Sequence, residues 1–340
     1  MVNSAIELDN QMRDQAFKQQ WQGRVDLEDG VAGLRLHQHV QPYSSVVDPG
    51  GITLVGLASD LGVQYNQGRT GAQEGPTAIR RNLANLAWHS ATPCYDAGDI
   101  EIEIQADREP LQTAQKAYAN VVYNALCNQQ FVVGLGGGHE IAWGSYQGAR
   151  HYLDHCGKEQ AVLGILNFDA HFDLRKPPQG AAWQGSSGTP FYQVSRDCLR
   201  RNIAFEYACI GISRAANTRA LFDFAAAQNV DYVLDTECTP ASRTALINGL
   251  IDKVDALYVT VCLDALPGDL APGVSAPAAL GISLHDILDS LRLVKQACAA
   301  HDVKWLMLDV AEMNPSLDHD NRTARVAARL IYEVMNLALT

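Results

Sequence analysis

Short, almost wholly apolar runs rich in β-branched residues recur along this 340-residue chain, and they limit its possible folds more than any other feature. A strand with one solvated face alternates apolar and polar residues, whereas a strand covered on both faces is apolar throughout. These runs therefore predict the buried strands of a mainly parallel sheet. The six candidate strands span residues 52–57, 131–135, 162–168, 208–212, 257–262 and 305–310.

Helix-like segments lie between those runs, and this β-then-α rhythm predicts an α/β fold. We expect a single three-layer α/β/α domain with helices on both faces of the sheet. Residues 1–45 are predicted to form an N-terminal extension, and residues 46–340 the single catalytic domain, with a long loop at 176–190. The candidate helices span residues 76–87, 111–127, 141–155, 217–228, 284–299 and 323–339.

Composition narrows the classes of function. The net charge is −12 and no long basic run occurs, which argues against a general nucleic-acid or anionic-membrane binder. No stretch reaches the ~20 apolar residues of a membrane span. The eight cysteines form no CxxC pair, and the N-terminus lacks an apolar signal region. We therefore expect a cytoplasmic protein that acts on a small molecule; an anionic substrate needs only one or two well-placed cations.

Three metal-competent side chains follow the run at 162–168 directly. In parallel sheets, ligands bind beyond the carboxyl ends of the strands. Asp169, His171 and Asp173 alternate, so in an extended backbone their side chains point to one side. Three such groups are costly to bury unpaired, and a cation is their natural partner. Carboxylates combined with imidazole suit Mn²⁺, Zn²⁺ or Fe²⁺.

Two further strand ends add candidates. His139 follows the run at 131–135 within a glycine-rich turn, and Cys262 and Asp264 share a face at the end of the run at 257–262. Alone, a histidine in a glycine-rich turn is more often structural, and a buried cysteine is usually a small core residue. The six candidates together are too many for one tetrahedral ion. They suit a two-metal hydrolase site, whose ions lie about 3.5–4 Å apart and share carboxylates.

With these clusters in place, the chain resembles the ureohydrolase superfamily, which includes arginase and agmatinase. The matching motifs are GGGHE (136–140), NFDAHFDLR (167–175), LDALPGDLAPGVSAP (263–277) and AEMNPSLDHDNRTAR (311–325). Within the superfamily it is most similar to the formimidoylglutamase family. The supporting segments are residues 21–26, 68–72, 186–191, 213–218 and 272–277. The resemblance implies an arginase-like fold and a homo-oligomer.

The resemblance also implies a ligand set for two Mn²⁺ ions per subunit. One ion would be held by His139, Asp169, Asp173 and the residue at 262. The other would be held by Asp169, His171, the residue at 262 and Asp264. The superfamily pattern has Asp-x-Asp at the last strand end, whereas this sequence has cysteine at position 262. A thiolate can bridge metals, but it is softer than a carboxylate and suits Mn²⁺ less well.

The activity that this resemblance implies is hydrolysis of N-formimidoyl-L-glutamate to L-glutamate and formamide, a step of histidine degradation. A metal-bridging hydroxide would attack the formimidoyl carbon. Asp173 is expected to hold or receive a proton. Glu312 resembles the acid that binds the cationic =NH₂⁺ end of the substrate, for which a charge-assisted hydrogen bond is suited.

Arginines near the expected mouth of the site are candidates for binding the two carboxylates of the substrate. Arg175 follows the metal-binding strand and Arg214 follows the run at 208–212, and guanidinium groups can bind carboxylates bidentately. Asn217 is a further candidate contact, and Arg69 is a weaker third arginine. For either arginine alone, a solvated loop position is an equally good interpretation.

Three alternatives stay open at this stage. Another ureohydrolase could act on a guanidino compound such as agmatine or guanidinobutyrate, although two mouth arginines disfavour a dicationic substrate. A non-catalytic relative would bind no stoichiometric metal, and a deacetylase would keep only the broad fold. The proton donor to the leaving nitrogen is also open, because the segment 187–191 lacks the histidine of arginase-like members.

Overall fold

One nine-stranded sheet organises the computed structural model, which describes residues 15–44, 49–102, 109–178 and 185–339. Every pairing between neighbouring strands is parallel. The order across the sheet is β1-β3-β2-β4-β9-β8-β5-β6-β7. The strands are β1 (Gln41–Pro42), β2 (Ile52–Ala58), β3 (Cys94–Glu101), β4 (Phe131–Gly136), β5 (Leu163–Phe168), β6 (Tyr207–Ile212), β7 (Asp231–Leu234), β8 (Ala256–Cys262) and β9 (Lys304–Ala311).

Helices cover both faces of this sheet and separate two apolar cores. Residues of α1, α6, α7 and α8 pack in one core, and residues of α2, α3, α4 and α5 pack in the other. Alternate strand residues serve the two cores, so that Leu54 belongs to the first and Val55 to the second. The longer helices are α1 (Gly75–Leu83), α2 (Pro110–Cys127), α3 (Ile141–His155), α4 (Pro190–Arg201), α5 (Arg219–Ala227), α6 (Pro240–Ile251), α7 (Leu284–Ala300) and α8 (Arg322–Leu339).

The predicted α/β class, with a mainly parallel sheet between two helical layers, is confirmed. All six predicted strands are present, but β1, β3 and β7 and the helices α4 and α6 were not predicted. β3 carries several acidic residues, and β7 has only four residues at the sheet edge, so neither gives an apolar run. Of the predicted loop 176–190, residues 179–184 lie outside the described residues. Among the described helices, none combines the length and apolar character needed to cross a bilayer.

The strand order brings four functional strand ends together. β4, β9, β8 and β5 are consecutive neighbours in the sheet, although β9 is the last strand in sequence. The segments that follow these strands carry His139, Glu312, Asp264 and Asp169. Because parallel strands end at the same edge, side chains distant in sequence meet in one place.

Part of the segment before β2 packs against the sheet. The side chains of Trp21, Leu36 and Val40 are buried in the first core, and β1 pairs with β3. The indole Nε1 of Trp21 donates a hydrogen bond to Oδ2 of Asp96 at 2.7 Å. The predicted boundary between residues 45 and 46 stays a prediction. Residues before that boundary contribute side chains to the core.

A buried ion-pair cluster secures that edge of the sheet. Arg80 in α1 is fully buried, and its Nε and Nη2 each donate to the carboxylate of Asp96 at 2.9 Å. It also donates to the side chain of Asp99 and to the carbonyl of Gly98. Removing one partner of a buried pair leaves an uncompensated charge, which costs more than the pair gains.

We predict that Asp96→Asn lowers the free energy of unfolding by about 3–5 kcal/mol, because it leaves the Arg80 guanidinium buried with too few acceptors. Urea denaturation measures this loss. The matched control is Asp223→Asn, which removes a solvent-exposed i,i+4 partner of Arg219 and should change stability by less than about 0.5 kcal/mol. Equal losses for the two variants would contradict the stabilising role of the buried cluster.

Candidate metal centre

His139 is fixed by the glycine-rich turn that follows β4. A Cβ at Gly137 would lie 1.8 Å from the carbonyl oxygen of Ser59, so only glycine fits there. The imidazole of His139 is buried, and its Nδ1 lies 3.0 Å from Oδ2 of Asp169 and 2.9 Å from Oδ2 of Asp173. The turn therefore delivers one ring nitrogen to two carboxylates from the segment after β5.

The segment after β5 positions its metal-competent side chains through a turn rather than through simple strand alternation. Asp169 is fully buried; its Oδ1 accepts a hydrogen bond from the backbone N–H of His171 at 2.7 Å, and its Oδ2 accepts one from Nδ2 of Asn167 at 3.1 Å. Asp173 has φ = +48°, in the left-handed region that non-glycine residues rarely adopt. Such conformations concentrate at functional sites.

Two groups of possible ligands share one residue. His139, Asp169 and Cys262 form one group, and Asp169, His171 and Asp264 form the other; within each group the possible ligand atoms all lie within 4.8 Å of one another. The Nδ1 of His171 is 3.1 Å from Oδ2 of Asp264 and 3.5 Å from Oδ1 of Asp169. Asp169 therefore has the position of a bridging carboxylate.

The geometry around His139 is that of a cation site rather than of a hydrogen-bonded cluster. Its buried Nδ1 has no well-aligned hydrogen-bond partner among the described residues, although two carboxylate oxygens lie within 3.0 Å. A buried nitrogen with two carboxylate oxygens this close and no aligned hydrogen bond is the arrangement expected where a cation binds. The donor set of imidazole, carboxylates and one thiol suits a divalent transition metal.

The electrostatics of the site favour a cation as well. Burial, reinforced by neighbouring carboxylates, raises the pKa of Asp173 to about 6 and that of Glu312 to about 8. Burial and the nearby carboxylates, above all that of Asp169, hold the pKa of the Cys262 thiol well above its usual value. Burial opposes ionisation of His171, but the carboxylates of Asp264 and Asp169 raise its pKa to about 12. Bound positive charge relieves this crowding of anionic groups.

Glu312 reaches the site from the end of β9. It has φ = +69°, another left-handed position, and its N–H donates to the carbonyl of Gly137 at 2.7 Å. Its Oε1 accepts a hydrogen bond from the backbone N–H of His139 at 3.0 Å. These two hydrogen bonds thus fix the glycine-rich turn and Glu312 relative to each other, beside the metal-competent groups.

These groups form part of the wall of a cavity of about 390 Å³, a size suited to a small metabolite. The wall includes His171, Asp173, Cys262, Asp264 and Glu312, together with residues from the segments after β2, β5, β6 and β8. The same cavity is lined by Asn66, Gln67, Arg69, Arg175, Ser187, Asn217 and Ser275.

The predicted substrate-binding residues occupy different settings. Arg175 lines the cavity, and its side chain forms no ion pair within the part of the chain that the structure describes. Arg214 is not among the cavity-lining residues; its guanidinium carbon lies 5.8 Å from the ring centroid of Phe222. Arg69 lines the cavity, but its Nε and Nη2 each donate to a backbone carbonyl, of Ser275 and Val274, at 2.8 Å. Of the three arginines, Arg175 has the guanidinium best placed for a ligand.

Asn217 lines the cavity but its amide is already in use. Its Oδ1 accepts a hydrogen bond from the N–H of Phe172 at 3.1 Å, and its Nδ2 donates to the carbonyls of Ala170 and Ser213 at 2.8 Å. These bonds join the segment after β6 to the ligand turn after β5. In this structure, Asn217 therefore braces the metal-competent turn.

Sequence reasoning did not single out Asn66, which lines the same cavity, or Gly188, which lies against the Asn66 side chain. A Cβ at Gly188 would lie 2.9 Å from Oδ1 of Asn66 and 3.0 Å from Cδ of Arg175, so both side chains lie against this glycine. Asn66 belongs to the segment that follows β2, at the same sheet edge as the metal-competent residues. That position in the sequence could have indicated a cavity-lining role for Asn66, but polar residues in loops are too common for this one to be singled out.

The chain is similar to known proteins in both sequence and structure. The model of the arginase family matches residues 51–336. A formimidoylglutamase of Photobacterium profundum is 44% identical, with 92% of this chain and 93% of the relative covered. One of Aeromonas hydrophila is 45% identical, with 93% of this chain and 96% of the relative covered. The similarity thus extends over nearly the full length of both relatives.

Solved structures show the same fold. The formimidoylglutamase from Bacillus subtilis superposes with a TM-score of 0.73 at 20% identity, covering 89% of this chain and 91% of that one. The formiminoglutamase of Trypanosoma cruzi with Mn²⁺ superposes with a TM-score of 0.73 at 23% identity, covering 85% and 93%. At these identities the likeness concerns the fold alone.

We predict that Asp169→Asn abolishes binding of both metal ions, whereas His171→Ala abolishes binding of only one, because Asp169 belongs to both ligand groups. Inductively coupled plasma mass spectrometry after loading and desalting measures the metal content per subunit. Asp223→Asn, an exposed acidic substitution, is the control and should retain the wild-type content. Retention of one full ion by Asp169→Asn would contradict the bridging position.

Proposed function

Because this chain belongs to the arginase family, we propose that it hydrolyses N-formimidoyl-L-glutamate to L-glutamate and formamide. The observation that carries the proposal is the combination of a metal-competent cavity with 44–45% identity to relatives that are named formimidoylglutamase. The reaction joins the oxygen of water to the formimidoyl carbon and breaks the bond from that carbon to the glutamate nitrogen.

We propose two Mn²⁺ ions per subunit as the cofactor. His139, Asp169, Asp173 and Cys262 would hold one ion, and Asp169, His171, Cys262 and Asp264 the other. When bound, such a pair supplies an activated water and positive charge for the transition state. The unpartnered Nδ1 of His139 and the position of Asp169 in both ligand groups support this arrangement.

Glu312 is proposed to orient the amidine end of the substrate. Its carboxylate is buried, lines the cavity and receives the N–H of His139 on Oε1, which limits its freedom to turn. A carboxylate held in this way binds a cationic =NH₂⁺ group by a charge-assisted hydrogen bond. Such a contact fixes the plane of the amidine and so presents its carbon to the attacking water.

Asp173 is proposed to act in proton transfer during the hydrolysis. It lines the cavity and lies beside His139, and its left-handed backbone directs its carboxylate toward the cluster. In this role it accepts a proton from the attacking water. The leaving nitrogen of glutamate then needs a proton, for which Asp173 or cavity water is the source, because the segment 187–191 offers no histidine.

Arg175 is proposed to bind a carboxylate of the glutamate moiety. Arg175 lines the cavity and its side chain has no ion-pair partner in the described residues, and a guanidinium suits a carboxylate bidentately. The Asn66 amide lies against the same glycine and can add a hydrogen bond. Arg214 and Asn217 stay proposed substrate contacts. Their support is weaker than that of Arg175, because the Arg214 guanidinium lies over the Phe222 ring and the Asn217 amide is already hydrogen-bonded to the turn after β5.

We further propose that the enzyme is a cytoplasmic homo-oligomer that engages neither nucleic acid nor membranes. The net charge of −12 and the absence of a long basic run in the sequence support the last two points. Light scattering coupled to size exclusion determines the oligomeric state directly.

We predict that the Mn²⁺-loaded protein releases formamide from N-formimidoyl-L-glutamate and releases no urea from agmatine, guanidinobutyrate or arginine. Separate formamide and urea assays on this panel measure the outcome. Removal of the metal with a chelator should abolish formamide release, and added Mn²⁺ should restore it. Full activity in the metal-free protein, or preference for a guanidino compound, would overturn the proposed reaction.

We predict that Arg175→Ala lowers kcat/KM for formimidoylglutamate by about 10–100-fold, mainly through KM, because one charge-assisted pair is worth roughly 1.5–3 kcal/mol. Gly188→Ala should act in the same direction, since its methyl group displaces the Arg175 and Asn66 side chains. Steady-state kinetics measure both effects.

The matched control for these variants is Arg219→Ala, which removes an exposed arginine paired with Asp223. It should leave kcat/KM unchanged. Arg214→Ala, measured alongside, separates a true second carboxylate contact from an arginine that only stacks on Phe222. An unchanged kcat/KM in Arg175→Ala would contradict the assignment of Arg175.

A further inference from the structure

We infer that Thr260 and Asp309 are positioning residues that select the ring tautomer of His139, so that Nδ1 is kept free of hydrogen for a cation. The inference rests on the proposed metal centre but not on the identity of the substrate. Neither residue lines the cavity, and neither belongs to a proposed ligand group. The observation behind it is a line of buried polar contacts that runs from His139 into the sheet.

The first contact faces the side of the imidazole away from the carboxylates. The Nε2 of His139 lies 3.0 Å from Oγ1 of Thr260, while Nδ1 faces Asp169 and Asp173. A neutral imidazole has one N–H and one lone pair. If Nδ1 is to bind a cation, the hydrogen must be on Nε2, and Oγ1 of Thr260 must accept it.

A hydroxyl group alone does not impose that direction. A threonine hydroxyl can accept a hydrogen bond from Nε2–H, or it can donate its own hydrogen to a bare Nε2. The second arrangement puts the ring hydrogen on Nδ1, where it would block the cation. Something beyond Thr260 must therefore determine where the hydroxyl hydrogen points.

Asp309 is placed to do this. Thr260 in β8 and Asp309 in β9 are register partners, and the Thr260 hydroxyl lies near enough to the Asp309 carboxylate to oppose the rise in its pKa that burial causes. Oδ2 of Asp309 already accepts hydrogen bonds from the hydroxyls of Ser145 and Tyr258. Oδ1 of Asp309 is buried and has no aligned donor among the described residues, so a Thr260 hydrogen turned toward it would meet an acceptor for which no other donor competes.

Burial of this network fixes the direction of its hydrogen bonds. Thr260, Asp309, Ser145 and Tyr258 are all completely buried, so no solvent competes for their hydrogen bonds. A carboxylate among hydroxyls accepts only, which commits the Thr260 hydrogen to Asp309 and leaves Oγ1 to accept from Nε2–H. The network thus fixes the Thr260 hydroxyl as a hydrogen-bond acceptor. It thereby keeps the His139 ring oriented with Nδ1 toward Asp169 and Asp173.

The test is the affinity of the metal-free protein for Mn²⁺, measured by titration against a competing chelator and without any substrate. Thr260→Val replaces the hydroxyl with a methyl of similar size, and we expect it to weaken binding of one Mn²⁺ about 10–100-fold. Thr260→Ser keeps the hydroxyl and should stay close to wild type. Asp309→Asn should weaken binding in the same direction, because its amide no longer commits the Thr260 hydrogen.

The matched control is Thr53→Val. Thr53 is equally buried in β2, and its hydroxyl donates to Oε1 of Gln130 at 2.8 Å, remote from His139 in the sheet. Urea denaturation of all variants measures the purely structural cost of losing a buried hydroxyl. We expect Thr53→Val to lose stability as Thr260→Val does, while its Mn²⁺ affinity stays that of wild type.

Two results would overturn the inference: wild-type Mn²⁺ affinity in Thr260→Val, or an equal loss of affinity in Thr53→Val. Should Thr260→Val fail to fold, Asp309→Asn with wild-type affinity has the same meaning. Mn²⁺ binding by the wild type without formamide release would overturn the proposed reaction alone and leave this comparison intact.

Discussion

The buried carboxylate of Asp169 is the constraint on which the rest of the site depends. It lies at the carboxyl end of β5 with no exposed surface, and it contacts both site histidines. A buried charge is tolerated only where partners compensate it, so the ligands around it must be held closely in place. The glycine turn before His139 and the bracing amide of Asn217 are two parts of the chain that hold them.

The sheet topology supplies those partners. Insertion of β9 between β4 and β8 places the end of the last strand beside His139, and the backbone hydrogen bond between Glu312 and Gly137 joins the two strand ends. A sheet in simple chain order would separate these residues by several strands, each about 4.8 Å apart. The central position of β9 is therefore as important for the site as any single ligand.

The sequence was sufficient to predict the fold class, the six apolar strands and the clustering of the strand-end residues, because burial on both faces and strand ends have direct sequence patterns. β3 escaped prediction because Asp96, although buried, interrupts the apolar pattern; its charge is compensated by Arg80, a partner that only the folded chain brings near. Asn66 and Thr260 escaped for a similar reason. Their significance lies in what they contact across the sheet, and local periodicity contains no information about that.

Cys262 shows how ligand chemistry and electrostatics balance in this centre. The thiol is buried among Asp169, Asp264, Glu312 and Asp173, and burial together with these carboxylates holds its pKa well above the usual value. A carboxylate at this position would add another full negative charge to a region that already crowds several. As a proposed ligand, a thiol avoids that repulsion until a bound cation displaces its proton, although it is a softer donor for Mn²⁺ than a carboxylate. In the proposed centre, cysteine at position 262 would therefore give a softer ligand but a smaller excess of buried negative charge.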